Sequence, residues 1–342
     1  MKNMVAKHQG ELIGSSPLLR IKSLSELTKS DIFIKCEHFN PGGSIKDRAA
    51  LNMVLAAIKD GRLKTGMTIV EGTAGNTGIG LALVGRALGF EVLVVMPKGQ
   101  TPEKERMISL HGAKLKLVDP CPFANPNHFY HTAKRIAEES PDQYWWANQF
   151  ENTDNAMAHY KHTGPEIYEQ MDGKIDAFLS VAGTGGTIGG CSKYLKEKDS
   201  KIKTILVDPG GSGLKSYFET GEFKSQGGSF TEGIGIMRLT ANFALANVDE
   251  ALSFPDDDIV TISRHLQQED GIVLGSSSAL NVTAAFYMAL KLGPGKRIVS
   301  FSCDLGERSF SKLYNRTFLE GKGINIERDI NGLVNAWDLS IP

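Results

Sequence analysis

Cysteine is scarce and scattered in this chain: Cys36, Cys121, Cys191 and Cys303 are the only four, and no two form a C-x-x-C pair. That spacing argues against a disulfide framework and against structural zinc, and it fits a reducing cytosol. The eight histidines are isolated, with no H-E-x-x-H run to grip a catalytic metal. Excess charge is also missing. A formal net charge of −1 gives no overall field for nucleic acid or an anionic membrane, so neither is expected as a partner. Long hydrophobic runs are absent too: the richest stretch, residues 81–96, is broken by Arg86 and Glu91 and is not expected to span a bilayer. The opening residues MKNMVAKHQGELIG lack the apolar core of a secretory signal, so a soluble, cytoplasmic protein is the expectation. No internal repeat, coiled-coil pattern or low-complexity block interrupts the chain.

What is present is a globular composition, 342 residues with 41% hydrophobic and 23% charged, too long for one ordinary core. Short β-branched runs alternate with helical periods, which predicts parallel sheets covered by helices, an α/β class. Residues 32–37 (IFIKCE), 68–71 (TIVE), 91–96 (EVLVVM) and 115–119 read as strands, as do 177–181, 203–208 (KTILVD) and 297–303 (RIVSFSC). Helices are predicted over 46–60, closed by Gly61, from the end of GTAGNTG to Ala87, and over 101–111 with Pro102 at its first turn. Others fall at 131–139, 187–197, 258–269 and 278–292, and 308–319 reads as the last. The glycine- and serine-rich segment 209–231 is expected to be an irregular surface. A domain break is placed near residues 148–153.

The chemistry concentrates in glycine-rich stretches. Lys46 follows Pro41-Gly42-Gly43-Ser44-Ile45, where the glycines permit close backbone approach and Ser44 suits a helix cap. A lysine at a helix start is most often a solvated charge. Here the partial positive charge of the helix terminus favours the neutral amine that a Schiff-base nucleophile needs. Gly183-Thr184-Gly185-Gly186-Thr187 lies between a strand and a helix, so its N–H groups and two hydroxyls can face an anion. It is no Walker A loop, and Ile188 stands where a dinucleotide fingerprint needs its third glycine. A reactive lysine and a small-phosphate loop together are the needs of pyridoxal 5'-phosphate. Gly72-Thr73-Ala74-Gly75-Asn76-Thr77-Gly78 is another strand-to-helix loop, able to hold a carboxylate such as that of an amino acid or to serve as a plain connector. Gly275-Ser276-Ser277-Ser278 reads first as a helix cap. A serine there could also donate to a pyridine nitrogen without keeping it protonated, which favours β-elimination and replacement over transamination. Trp145, Trp146 and Phe150 around Gln149 read as core or interface, and the runs 196–199 (KEKD) and 256–258 (DDD) as solvated faces.

With these loops in this order, the sequence closely resembles the cysteine synthase (O-acetylserine sulfhydrylase) family of fold-type II pyridoxal phosphate enzymes, from the IGSSPLLRI stretch at Ile13 to Tyr314. The resemblance implies two three-layer α/β domains with mainly parallel twisted sheets, similar to the tryptophan synthase β subunit. The smaller, mobile domain would span 41–152 and the larger 1–40 plus 153–342, with the tail 320–342 unassigned. It implies that Lys46 is the Schiff-base lysine and that Asn76 contacts the cofactor's 3′ oxygen. Gly183, Thr184, Gly185, Gly186 and Thr187 would hold the phosphate, and Ser277 would face the pyridine nitrogen. Thr73, Ala74, Gly75, Asn76 and Thr77 would hold the substrate carboxylate, with Gln149 of NQFEN as a further contact. Thr231-Glu232-Gly233-Ile234-Gly235 resembles the segment closing over the site, which brings Gly233 to the substrate. By the same likeness the chain makes cysteine from an activated serine and sulfide, forms a homodimer and partners serine acetyltransferase. Donors other than O-acetylserine, such as O-phosphoserine with Arg238 facing its phosphate, other nucleophiles as in cystathionine β-synthase, and a retired binding role stay open. The chain departs from the family pattern at Ala74, where many relatives carry serine, at Ala279, where glycine is frequent, and in the tail after Leu319.

Overall fold

The computed structural model describes residues 5–73 and 75–342. Among the described residues ten strands form two sheets. In chain order they are β1 (Leu18–Arg20), β2 (Asp31–Cys36), β3 (Thr68–Gly72), β4 (Glu91–Pro97), β5 (Lys114–Val118), β6 (Tyr144–Trp146), β7 (Ala177–Val181), β8 (Lys203–Pro209), β9 (Glu250–Phe254) and β10 (Arg297–Ser302). One sheet has the order β5-β4-β3-β6 and is wholly parallel. The other has the order β1-β2-β10-β7-β8-β9, parallel except for the antiparallel edge strand β1. The chain therefore has the α/β architecture that its alternating apolar runs predict. Central strands such as β7 and β8 are buried along nearly their whole length because helices cover both faces, so they read as continuous apolar runs rather than alternating ones.

Each sheet carries its own core. Ile69, Val92 and Val94 pack with Met53, Val54 and Ile79 of the helices Lys46–Lys59 and Asn76–Leu88. Phe178, Ile205, Val207, Val299 and Phe301 form the larger core with Leu280 and Phe286 of the helix Ser276–Leu292. Ligand-binding loops of parallel sheets collect at the carboxyl ends of the strands. The TAGNTG loop leaves β3, the GTGGT loop leaves β7, and Cys303-Asp304 follows β10, so all three emerge at such ends.

Several expectations need correction. The segment 209–231 holds a short helix, Leu214–Thr220, anchored by buried Leu214, stopped by Gly221 and braced by Tyr217 stacked on Phe223. The helix expected over 308–319 is a 3₁₀ turn, Gly306–Ser309, followed by a helix at Arg316–Gly321, because Asn315 accepts from the Phe318 N–H and starts a new cap there. The last helix is Ile330–Ala336, in the tail. Asp256 to Asp258 are not a solvated face. Asp256 accepts from the Phe230 N–H, and buried Asp258 accepts from Arg328 and from the Trp337 indole. Strands β1, β6 and β9 and the helix Lys22–Thr28 are too short or too mixed in pattern to be read from the sequence.

Candidate active site

Lys46 is the first residue of the helix Lys46–Lys59, and a buried ion cluster fixes that helix to the larger sheet. Arg48, two residues on, donates from Nε and Nη2 to Glu37 and from Nη1 and Nη2 to Glu166, at 2.6–2.9 Å. Lys35, fully buried, pairs with the same Glu166 at 2.7 Å. Burial alone would raise the Glu166 carboxyl, but Arg48 and Lys35 outweigh it and hold it near about 2. Ser44 Oγ accepts from the Lys46 N–H at 3.3 Å, while Ile45 takes the cap position itself, one residue later than expected. The side chain of Lys46 enters a cavity of about 230 Å³, and no carboxylate lies within ion-pair distance of its amine among the described residues. Desolvation is the largest influence on this amine and holds it below the ordinary lysine value; Lys104 adds to the effect and Asp304 opposes it.

The same cavity gathers the loops. Gly183, Thr184 and Gly185, just ahead of the thirteen-residue helix Gly186–Lys198, line it together with Thr187 of that helix's first turn. Gly186 lies behind them, its N–H donating to Thr184 Oγ1 at 3.3 Å. A Cβ on Gly183 would stand 2.4 Å from the Gly233 carbonyl oxygen. Gly185, at φ +83°, would meet the Phe243 backbone at 2.5 Å. Only glycine fits at either place. Thr184 Oγ1 accepts from Asn155 and from the Gly186 N–H, which leaves its own proton for a ligand. Thr187 Oγ1 lies 3.3 Å from His159 Nε2, in a π-helical turn, and burial keeps that imidazole well below its ordinary value and neutral. These features fit a phosphate: a helix terminus with free donors, no filling side chain, and no carboxylate on the loop.

Thr73, Gly75, Asn76 and Thr77 line the cavity from the other sheet, and Gln149 and Gly233 complete it; Ala74 lies outside the described residues. Thr73 Oγ1 accepts from the Gly75 N–H at 3.2 Å. Gln149 is held on every side. Its Nε2 donates to Glu71 Oε1 and the Gly72 carbonyl at 3.2 Å, and its Oε1 accepts from Thr77 Oγ1 at 2.6 Å. Asn76 donates to Asp304 at 2.6 Å and accepts from Arg308 at 2.9 Å, so its amide plane is set by groups that follow β10. Ser277, in the first turn of Ser276–Leu292, lines the cavity beside Cys303, whose thiol burial pushes up to about 12.

Sequence reasoning misses Glu71, Lys104, Cys303, Asp304 and Arg308, and places Glu232 only as a member of the closing segment 231–235. Lys104, Glu232 and Cys303 line the cavity, and Glu71, Asp304 and Arg308 support residues that do. No local pattern marks them, since their meaning depends on partners from distant segments. Arg238, left open as a contact for a phosphate leaving group, does not line this cavity. It pairs with Glu151 and lies over the rings of Phe123, Tyr130 and Phe150, at 4.8–5.2 Å. Among the described residues no group of three or more His, Cys, Asp or Glu side chains could hold a metal, and no helix is long and apolar enough to cross a membrane.

The fold and this lysine-and-loop cavity define a pyridoxal phosphate enzyme of fold type II. The family described as pyridoxal-phosphate dependent enzyme matches residues 10–304, and the chain belongs to it. Within that family the chain is similar to cysteine synthases. Cysteine synthase 2 of Schizosaccharomyces pombe is 46% identical over 334 residues, covering 92% of this chain and 85% of the relative. The cysteine synthase of Dictyostelium discoideum is 42% identical over 333 residues, covering 94% and 88%. Among solved structures, O-acetylserine sulfhydrylase isoform 3 from Entamoeba histolytica superposes with a TM-score of 0.84 at 33% identity, covering 98% of this chain and 97% of that one. An O-acetylserine dependent cystathionine beta-synthase from Helicobacter pylori gives 0.81 at 31% identity, covering 90% and 98%.

Proposed function

We propose that this chain is a cysteine synthase, which converts O-acetyl-L-serine and sulfide to L-cysteine and acetate. The observation that carries this reading is the single cavity in which Lys46, the TAGNTG loop and the GTGGT loop meet, in a chain 42–46% identical to cysteine synthases over most of its length. Pyridoxal phosphate, when bound, supplies the electron sink that acidifies the Cα–H bond and lets the β-substituent leave. Gly183 to Thr187 would hold its phosphate, Lys46 its aldehyde carbon and Ser277 its ring nitrogen. The rest is the chain's work. Lys46 Nζ, held below the ordinary lysine value by burial, takes the Cα proton and later returns it. Thr73, Gly75, Asn76 and Thr77, with Gln149, orient the substrate carboxylate and so set the angle of the Cα–H bond. The unit carrying the four-stranded sheet, residues 41–152, closes on the remainder when that carboxylate binds, and the segment around Gly233 excludes water.

The test is cysteine formation from O-acetylserine and sulfide, run beside O-phosphoserine; no turnover with either ester rejects the reading. Arg238 lies outside the cavity, which favours the acetyl ester. Lys46→Ala is expected to lower turnover by about a thousandfold or more, and borohydride reduction with peptide mapping should place the cofactor on Lys46 alone. A label elsewhere overturns the site assignment. The finer parts of the proposal are a cytoplasmic homodimer whose active-site mouth receives the tail of a serine acetyltransferase. Sedimentation, and competition between that peptide and O-acetylserine, test them.

A further inference from the structure

Asp304 and Arg308 are charged, nearly fully buried and unused by the chemistry above. Asp304 follows β10, and the start of the helix Ser276–Leu292 clamps its backbone. Ser278 Oγ donates to its carbonyl at 3.0 Å and accepts from its N–H at 3.2 Å, and the Gly275 N–H donates to the same carbonyl at 3.1 Å. One carboxylate oxygen accepts from Asn76 Nδ2 at 2.6 Å, while the other is buried without a partner among the described residues. A buried carboxylate held by one donor works against stability, so packing alone does not account for it. Arg308 lies in the 3₁₀ turn Gly306–Ser309. Its Nη1 donates to Asn76 Oδ1 at 2.9 Å, and its Nη2 donates to the carbonyl of Gly42, in the loop that leads to Lys46. Gly43, at φ +74°, leaves room for that approach, since a Cβ there would stand 2.6 Å from Nη2.

A carboxylate can only accept and a guanidinium can only donate, so this pair admits one orientation of the Asn76 amide. Turned over, the amide would set its oxygen against Asp304 and its nitrogen against Arg308, losing both hydrogen bonds. Hydroxyl or amide partners would accept either orientation. Held as it is, Asn76 gives one N–H to Asp304 and keeps the other for the cavity that it lines. Arg308 adds a second constraint, because through Gly42 it ties the approach to Lys46 to the same amide. In pyridoxal phosphate the 3′ oxygen and the aldehyde carbon sit on neighbouring ring atoms, so the groups that meet them need a fixed spacing.

We propose that Asp304 and Arg308 are positioning residues that lock the flip of the Asn76 amide, so that its remaining N–H donates to the 3′ oxygen of bound pyridoxal phosphate. The proposal rests on the cofactor site described above and extends it to two charges that do not line the cavity. A donor at that oxygen favours its ionised form, which absorbs at longer wavelength than the neutral hydroxyl form. The orientation of one amide is thereby written into the colour of the loaded protein.

The experiment records absorption spectra of the wild-type holoenzyme and its variants without substrate. Asp304→Ala and Arg308→Met should each raise the ratio of short- to long-wavelength absorbance by about tenfold, the effect of one misplaced hydrogen bond. Asp304→Asn keeps an acceptor for Nδ2, and Arg308→Lys keeps one donor for Oδ1, so each should recover part of the wild-type ratio. In an Asn76→Ala background, Asp304→Ala should shift the bands no further, because its effect passes through the missing amide. An equal shift in both backgrounds overturns the inference, since the charge would then act on the cofactor directly. Wild-type spectra in both Asp304→Ala and Arg308→Met overturn it as well. If a variant at one position fails to fold, the other position and its conservative replacement decide the matter. Borohydride labelling of wild-type Lys46 with unmoved variant spectra sinks this inference alone. Cofactor uptake without label at Lys46 sinks the site reading, and this inference with it.

Discussion

Glu71 shows how one buried side chain can set the behaviour of a site it does not line. It is the penultimate residue of β3, fully buried, and receives Gln149 Nε2 at 3.2 Å and the Gln149 N–H at 3.4 Å. Burial pushes its carboxyl up to about 8, against the pull of those donors. The folded chain therefore holds a proton that the unfolded chain releases near the ordinary carboxylate value. The stability this gives is fully present below that value and is lost as the pH rises through about 8. The same rise places a negative charge beside the loop proposed to receive the substrate carboxylate. KM for O-acetylserine is accordingly expected to climb above about pH 8 in the wild type. Glu71→Gln keeps the shape and stays neutral, so its KM should not climb above about pH 8, and its unfolding midpoint should lack the decline the wild type shows between the ordinary carboxylate value and about 8. Parallel rises in wild type and variant would assign the titration to another group. The helix start that carries Lys46 was legible in the sequence because its setting is local, two glycines followed by a helical period. Glu71 was not, because its role depends on Gln149, which folding brings to it from 78 positions away.

At the scale of elements, the same division holds. The strand-loop-helix units around GTAGNTG and GTGGT were readable because a strand, its glycine turn and the following helix are contiguous. The helix Ile330–Ala336 was not, because tertiary contacts rather than pattern hold it. Leu333 and Val334 are buried against the larger core, and Trp337 meets Phe254, Phe286 and Tyr287 with ring centroids 5.4–5.7 Å apart. Its indole donates to Asp258 at 2.8 Å, and Arg328 supplies the second partner of that buried carboxylate. The aspartates at 256–258 looked solvated for the same reason: their partners come from residues 230, 328 and 337. Trp337→Ala should destabilise the fold by about 2–3 kcal/mol, below the range for a fully buried tryptophan because this one is half-buried. Cofactor affinity and KM should not move, since none of these residues lines the Lys46 cavity. Urea unfolding followed by far-UV circular dichroism measures the first, and a change of less than about 0.5 kcal/mol would show the tail to be an appendage.

The whole molecule is tied across its mouth by Glu232. This carboxylate, nearly buried in the segment over the site, accepts from Lys104 at 2.6 Å on one side and from Lys312 at 2.5 Å on the other. Lys104 belongs to the helix Pro102–Leu110, which packs on the four-stranded sheet, while Lys312 lies between the helices that follow β10 of the six-stranded sheet. A single charge thus joins both halves of the fold. Burial works against its ionised form, yet the two lysines outweigh it and hold the carboxyl below its ordinary value. Thr101 donates to the same carboxylate at 3.3 Å, and Ser311 reaches Glu103 across the same boundary at 3.3 Å. Removing the charge would leave Lys104 and Lys312 with only a neutral amide between them, and their uncompensated repulsion would favour separation of the two halves. Opening would admit water to the site, and elimination of the activated serine followed by hydrolysis would release pyruvate and ammonia in place of cysteine. Glu232→Gln is therefore expected to raise the pyruvate formed per cysteine by about tenfold while the cofactor stays bound, since the phosphate loop and Lys46 are untouched. The ratio is read by coupling pyruvate to lactate dehydrogenase while cysteine is assayed in parallel. High salt should raise it in the wild type only modestly, because Lys104 and Glu232 are both largely shielded from solvent. An unchanged ratio in Glu232→Gln would mean that closure is held by the packing of the two halves and not by this bridge.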